Sequence, residues 1–196
     1  NEGWIIHTPE GRFPLVLSLP GKHNVMNAMA ATGLALALGI GLEQIREGLA
    51  ATTAVPGRLN LRKTAHGWRL IDDTYNANPA SVRAAAQVLV AQPGEAWAAL
   101  GDMRELGENS NKLHAETGAM LRELGVVRLF ATGRRSRAMV EAFGDGAEHF
   151  DTRESLINAL QAAIHKDVVC LVKGSRSLQM EQVVQALNGS SQGEAA

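Results

Sequence analysis

Beyond about residue 56, short apolar runs alternate with helix-period segments, and that alternation leaves few ways for the chain to fold. Strand-like runs fall at 68–72, 96–100, 127–131 and 168–172, between helical patterns near 80–91, 111–124, 136–142, 153–165 and 177–187. The runs at 96–100 and 168–172 are unbroken in apolar residues, as strands covered on both faces require. Repeated β-then-α order with such strands predicts an α/β domain, a mainly parallel sheet with helices on both faces. Two helix starts carry their own physical reasons. Asn78-Pro79 supplies a cap and a pre-set first residue. Asp151-Thr152-Arg153-Glu154 reads as a capping box, with Leu156, Leu160 and Ile164 following on one face.

The first fifty-odd residues have a different character. Residues 4–19 form short apolar runs around Pro9-Glu10-Gly11, a β-hairpin pattern. Asn24 to Leu38 is helical, rich in Ala, Met and Leu, and stops at Gly39 as a left-handed cap requires. So many apolar positions around that helix predict cover on more than one face. Leu42, Ile45 and Leu49 mark one face of a second short helix. Ala54-Val55-Pro56-Gly57 breaks both periodicities and is the boundary candidate. The expected division is 1–55, 56–188 and a small polar tail at 189–196 that frays.

Composition narrows the function classes. The 196 residues carry a net charge of −1, with 45% hydrophobic and 20% charged residues, enough to build a core. A near-neutral balance lacks the electrostatic footprint of a nucleic-acid or anionic-membrane binder. The single cysteine excludes an internal disulfide and a Cys-rich zinc site, and fits a cytoplasmic setting. No apolar run reaches the roughly 18–20 residues a membrane span needs. The opening Asn1-Glu2-Gly3-Trp4 is neither a signal peptide nor an initiator methionine, which fits a fragment of a longer protein.

In a parallel sheet, ligands bind beyond the carboxyl ends of the strands. That selects the loops 72–79, 101–109, 132–136 and 173–177. In Asp72-Asp73-Thr74-Tyr75-Asn76-Ala77-Asn78-Pro79, a carboxylate can accept from ribose hydroxyls, and Tyr75 offers a flat face to a base or sugar. Asp72 and Asn78 equally suit a turn and a helix cap. In Leu100-Gly101-Asp102-Met103-Arg104-Glu105-Leu106-Gly107, Gly101 permits close backbone approach, and Asp102 and Glu105 can face an ammonium group or a metal. An ordinary surface loop reads the same way. Lys173-Gly174-Ser175-Arg176-Ser177 is expected to open the last helix. Two cations there oppose the dipole unless an anion neutralises them, and Arg grips carboxylates bidentately. Upstream, Asn24 and Asn27 lie one turn apart after Gly21-Lys22-His23; an amide pairs with an adenine edge or simply caps a helix.

Other chemistry is missing from the sequence. There is no G-x-x-x-x-G-K-[ST] loop and no G-x-G-x-x-G fingerprint. The six histidines are dispersed, none at helix-face spacing, so no local metal motif exists. His114 reads as an exposed or half-buried helix residue, and Cys170 as a small buried hydrophobe. These residues favour ligand binding over self-contained catalysis.

Taken in order, GKHNVMNAMAA at 21–31, PGR at 56–58, IDDTYNANPAS at 71–81, LGDMRELG at 100–107 and LVKGSRSLQME at 171–181 resemble the Mur ligases. The resemblance is strongest to the branch that adds D-alanyl-D-alanine to UDP-N-acetylmuramoyl-tripeptide. It implies a Rossmann-like C-terminal ligase domain, with 1–55 closing a central ATPase domain. It places Asn24 and Asn27 at adenine, with His23 setting the helix start in the same ATP-binding set, Arg58 at the ATP phosphates, and Asp73 at the ribose, with Tyr75 and Asn78 shaping that loop. Lys173, Ser175, Arg176 and the Asp102–Gly107 loop, with Glu105, would lie near the incoming dipeptide, and Arg58 and Lys173 would be catalytic. ATP and Mg²⁺ are the implied cofactors, with the metal ligands and phosphate loop outside this chain. The implied product belongs to cell-wall precursor synthesis, and the full-length protein is expected to be a monomer. Two other readings stand beside it: a stand-alone nucleotide- or anion-binding module, and a folylpolyglutamate synthase-like domain.

Overall fold

The first strands pair across a two-residue turn at Pro9-Glu10. β1 (Trp4–Thr8) and β2 (Gly11–Leu15) form the expected antiparallel hairpin, Thr8 opposite Gly11. Strand alternation turns Ile6, Phe13 and Leu15 inward, where they meet Ala28 and Ile45. Those two come from α1 (Lys22–Ala37) and α2 (Leu42–Ala50). The cap of α1 is Gly21 rather than Asn24, and a glycine has no side chain with which to cap the first turn. Gly39 follows α1 with φ +76, as anticipated. Ala28 and Thr32 are the buried stripe of α1, while Met26 and Leu34 are 62% and 67% exposed. The structure describes residues 3–19, 21–53, 55–64 and 66–189, and it is a computed structural model. The side chain of His23 and the residues 190–196 of the expected tail lie outside that set, as does Ala54.

The chain divides into two compact units, Asn1–Val55 and Pro56–Ala196. The second unit runs β3 (Asn60–Lys63), β4 (Arg69–Asp73), α3 (Pro79–Val90), β5 (Glu95–Gly101), α4 (Ser110–Glu123), β6 (Arg128–Thr132), α5 (Ser136–Phe143), β7 (Ala147–Phe150), α6 (Arg153–Ala163), β8 (Val168–Lys173) and α7 (Glu181–Gly189). Its six-stranded sheet has the order β3-β4-β8-β5-β6-β7. β3 is antiparallel to β4, and the other pairings are parallel. Ile71, Ala98, Leu100, Leu129 and Leu171 face α3, α4 and α5 in one core. Their sequence neighbours Leu70, Trp97, Phe130 and Cys170 face α6 and α7 in the other. Burial pushes the Cys170 thiol up to about 12, which makes it inert packing.

Four expectations need correction. β3 and β7 are additional short strands. His114 is fully buried. The last helix begins at Glu181, after a 3₁₀ turn at Arg176–Leu178 and a left-handed Gln179, and it runs through Asn188 and Gly189. At α6 the partner of the Thr152 cap is Ser155, whose amide donates to Thr152 Oγ1 at 3.1 Å; Glu154 is not the capping residue. The Asn78 cap holds as expected: its Oδ1 accepts from Ser81 N at 2.8 Å, and its own N–H donates to Ser81 Oγ at 3.0 Å.

Candidate functional site

The parallel strands end together at Asp73, Gly101, Thr132 and Lys173, and their loops carry the polar residues singled out above. Register does the first piece of assembly. Asp73 lies opposite Lys173 in the β4–β8 pairing, on the same face of the sheet as Ile71 and Leu171. Lys173 is 3% exposed and turns inward: its Nζ donates to Asp73 Oδ2 at 2.6 Å and to the Asn76 carbonyl at 2.7 Å. Asp73 Oδ1 accepts the Leu59 amide at 3.1 Å, and Gly57 O accepts the Tyr75 amide at 3.0 Å. These bonds stitch the Pro56-Gly57-Arg58 turn to the loop after β4. The Arg58 guanidinium lies 4.3 Å from the centre of the Tyr75 ring, a cation–π pair, with both residues exposed. Burial lowers the Lys173 ammonium below its ordinary value; Asp73 pulls it back up, and Arg58 adds to the lowering.

Asp72, on the opposite face, closes the turn, accepting from Thr74 Oγ1 at 2.7 Å and lying 3.8 Å from Arg62. Arg58, Asp73, Tyr75 and Lys173 therefore form one cluster. Asn78 points its chemistry into the start of α3.

A second cluster surrounds the loop after β5. The Asp102 carboxylate accepts Ser136 N at 2.8 Å and Arg135 N at 3.1 Å, so its charge meets the N-terminus of α5. Gly133 gives it room, because a Cβ there would stand 2.5 Å from the carboxylate. Ser175 N donates to Asp102 O at 3.1 Å, and Arg104 N donates to Ser175 Oγ at 2.7 Å. Gly174 lets β8 reach the β5 loop: a Cβ on it would lie 3.2 Å from Gly101 Cα. Glu105 adopts φ +63 in the same loop, an uncommon conformation for a residue with a side chain. Arg176 pairs with Glu181 at 3.2 Å across the turn before α7, so the pair of cations expected at a helix N-terminus does not form there.

An open cleft of about 1060 Å³ lies over this loop, lined by Asp102–Glu105, Gly107, Glu108, Ser110, Asn111, Arg134 and Arg135. Among the described residues no side chain pairs with the guanidinium of Arg104, Arg134 or Arg135, and the Ser110 hydroxyl is buried without a partner. The strand order selects the 132–136 loop, but its Arg134 and Arg135 belong to none of the motifs above. Gly-Arg-Arg after an apolar strand was the available signal. In the first unit, Asn27 Nδ2 donates to Asn24 Oδ1 at 3.4 Å, one turn apart on α1. No group of three or more His, Cys, Asp or Glu side chains suited to a metal exists among the described residues. The residues here do not fit a Mg²⁺ site, and no step is assigned to one on this chain. No helix among the described residues is long and apolar enough to cross a membrane.

A mainly parallel α/β domain with cations and carboxylates gathered beyond its strand ends has the architecture in which ligands bind at that edge of the sheet. Residues 57–176 match the family described as Mur ligase, glutamate ligase domain, and the chain belongs to the Mur ligases. It is 43% identical over 184 residues to the UDP-N-acetylmuramoyl-tripeptide--D-alanyl-D-alanine ligase of Escherichia coli K12, covering 93% of this chain and 40% of that protein. A crystal structure of MurF from Acinetobacter baumannii superposes with a TM-score of 0.86 at 40% identity, over 95% of this chain and 42% of that one. A bifunctional folylpolyglutamate synthase/dihydrofolate synthase from Yersinia pestis is more distant, at a TM-score of 0.65 and 26% identity over 95% and 44%. The chain spans about two fifths of the length of the curated relatives it matches.

Proposed function

We propose that this chain is the C-terminal part of an ATP-dependent ligase that joins D-alanyl-D-alanine to UDP-N-acetylmuramoyl-tripeptide in the cytoplasm, for peptidoglycan synthesis. The observation that carries this reading is the 43% identity over 93% of the chain to a relative of that name. In the reaction, a carboxylate oxygen of the tripeptide attacks the γ-phosphorus of ATP, and ADP leaves. The dipeptide amine then attacks the acyl phosphate, and inorganic phosphate departs from the tetrahedral intermediate as the amide forms.

On this reading residues 1–55 close the central ATPase domain, and Asn24 and Asn27, with His23, serve the adenine. Asp73 serves the ribose and Tyr75 the same loop. Arg58, exposed on the Tyr75 ring, serves the phosphates, where a guanidinium stabilises charge spreading in transfer. Lys173 contributes its charge from beneath, already committed to Asp73 and Asn76. Arg104, Arg134 and Arg135 are available for the dipeptide carboxylate, with Glu105 for its ammonium end. Asp102, Ser175 and Asn78 act by holding the loops, and Arg176 stands beside them.

The whole ligase carrying this chain should release phosphate from ATP only when both UDP-N-acetylmuramoyl-tripeptide and D-alanyl-D-alanine are supplied. Turnover with L-glutamate and a folate in their place would overturn the reading in favour of the folate branch. The chain by itself, without a phosphate loop, should turn over neither ATP nor dipeptide.

A further inference from the structure

The loop after β5 is held by a residue that the reading above leaves unused. His114 sits in α4 with 0% exposure. Its Nε2 lies 3.0 Å from the Met103 amide, and its Nδ1 lies 2.7 Å from the Ser110 carbonyl oxygen. A backbone N–H only donates and a carbonyl only accepts, so the ring is neutral with its proton on Nδ1. The next amide along, that of Arg104, is taken by Ser175 Oγ. Two consecutive amides of the loop thus end on side chains from two other elements. The Asp102 carboxylate, 4.0 Å from His114 Nε2, ties the same loop to α5. Nothing in a hydrophobic core requires this. A leucine would fill the space, but it would leave the Met103 N–H unbonded in a buried place.

We propose that His114 is a positioning residue for the dipeptide: its imidazole fixes the 102–105 loop so that Arg104 and Glu105 meet Arg134 and Arg135 across one cleft. This rests on the ligase reading for the identity of the ligand; the tether itself does not. His114→Phe keeps the ring's bulk and removes both bonds. His114→Gln restores an acceptor for the Met103 amide.

In the whole ligase, His114→Phe should raise KM for D-alanyl-D-alanine by about tenfold or more, the scale on which small misplacements act. KM for ATP should stay within about twofold, because the cluster at Asp73 uses other loops. His114→Gln should recover most of the loss. A parallel rise in both constants, or wild-type behaviour of His114→Phe, would overturn the proposal. Two measurements on the wild-type protein stand even if the variant fails to fold. The ¹⁵N shifts of His114 should report the neutral Nδ1–H tautomer, and the Met103 and Arg104 amides should exchange slowly with solvent. An Nε2–H tautomer, or exchange as fast as in an open loop, overturns the tether. Absence of dipeptide-dependent turnover in the wild-type ligase would remove the ligase reading, leaving these two measurements to judge the tether.

Discussion

α1 and α4 are helices of similar length with opposite fates, and each contains a glycine that reports the difference. In α4, a Cβ on Gly118 would stand 2.0 Å from the Met139 carbonyl oxygen, because α5 presses against it. In α1, a Cβ on Gly33 would meet nothing within 4 Å. The same contrast holds for the large apolar residues. Leu121 of α4 is fully buried, whereas Leu34 of α1 is mostly exposed. A helix dominated by Ala, Met and Leu is therefore not buried by composition alone; it needs a partner surface. The second unit supplies one on each side of its sheet. Within the first unit, the hairpin and α2 bury the Ala28–Thr32 stripe and cover Val25, Ala35 and Leu36 in part, leaving Met26, Met29 and Leu34 exposed.

The largest test of this contrast lies in the buried ion pair. Lys173→Met should destabilise the second unit by about 3–5 kcal/mol, because it strands the Asp73 charge in a buried place. Arg46→Met, which breaks the exposed Arg46–Glu43 pair of the first unit, should leave the denaturation midpoint unmoved. Equal midpoints for Lys173→Met and wild type would mean that Lys173 reaches solvent. The same pair has a pH signature. The native Lys173 value is lowered, so between it and the ordinary lysine value the unfolded chain binds the extra proton. Unfolding free energy should therefore rise with pH in that window, and Lys173→Met should abolish the slope.

Next in size is the core. Leu129→Ala should cost about 2–5 kcal/mol in urea unfolding, whereas Leu34→Ala should stay within about 0.5 kcal/mol. A large loss at Leu34 would show its face covered in solution. The glycine pair follows. Gly118→Ala should cost at least about 1–3 kcal/mol by forcing α4 and α5 apart, while Gly33→Ala should gain roughly 0.5–1 kcal/mol from helix propensity. The smallest effect is at a cap: Asn78→Ala should cost about 1 kcal/mol, and α1, which has no side-chain cap, offers no counterpart to lose.

What the sequence made legible follows from the same contrast in cover. β4, β5, β6 and β8 are buried on both faces, so their apolar runs announce them. β3 is Asn60-Leu61-Arg62-Lys63 at the sheet edge, and its charges suit an edge while hiding its strand pattern. β7 is four residues at the other edge, with Glu148 and His149 in it. The helical pattern near 177–187 starts before the helix does, because a 3₁₀ turn at Arg176–Leu178 and a left-handed Gln179 delay it to Glu181. The loops of the candidate site were legible from topology. Which residues touch was not, because the Asp73–Lys173 bond joins positions 100 apart through strand register, a quantity no local pattern contains. His114 was missed for a similar reason, since its partners are backbone groups.

The position of β8 has a consequence in time. Among the described strands, the one made last, β8, inserts between β4, whose Asp73 precedes Lys173 by 100 residues, and β5, which was made some way after β4. Until Val168–Lys173 emerges, β5, β6 and β7 can associate, but β4 has no parallel neighbour. Assembly of the sheet thus waits on a long loop closure, which slows folding relative to a domain built from sequential neighbours. A nascent chain stalled or cut before that strand exposes two apolar strand edges, the kind of surface that chaperones and proteases recognise. The residue that completes the Asp73 cluster is also the one that closes the fold, so a chain with an assembled cluster has already passed its own proofreading step.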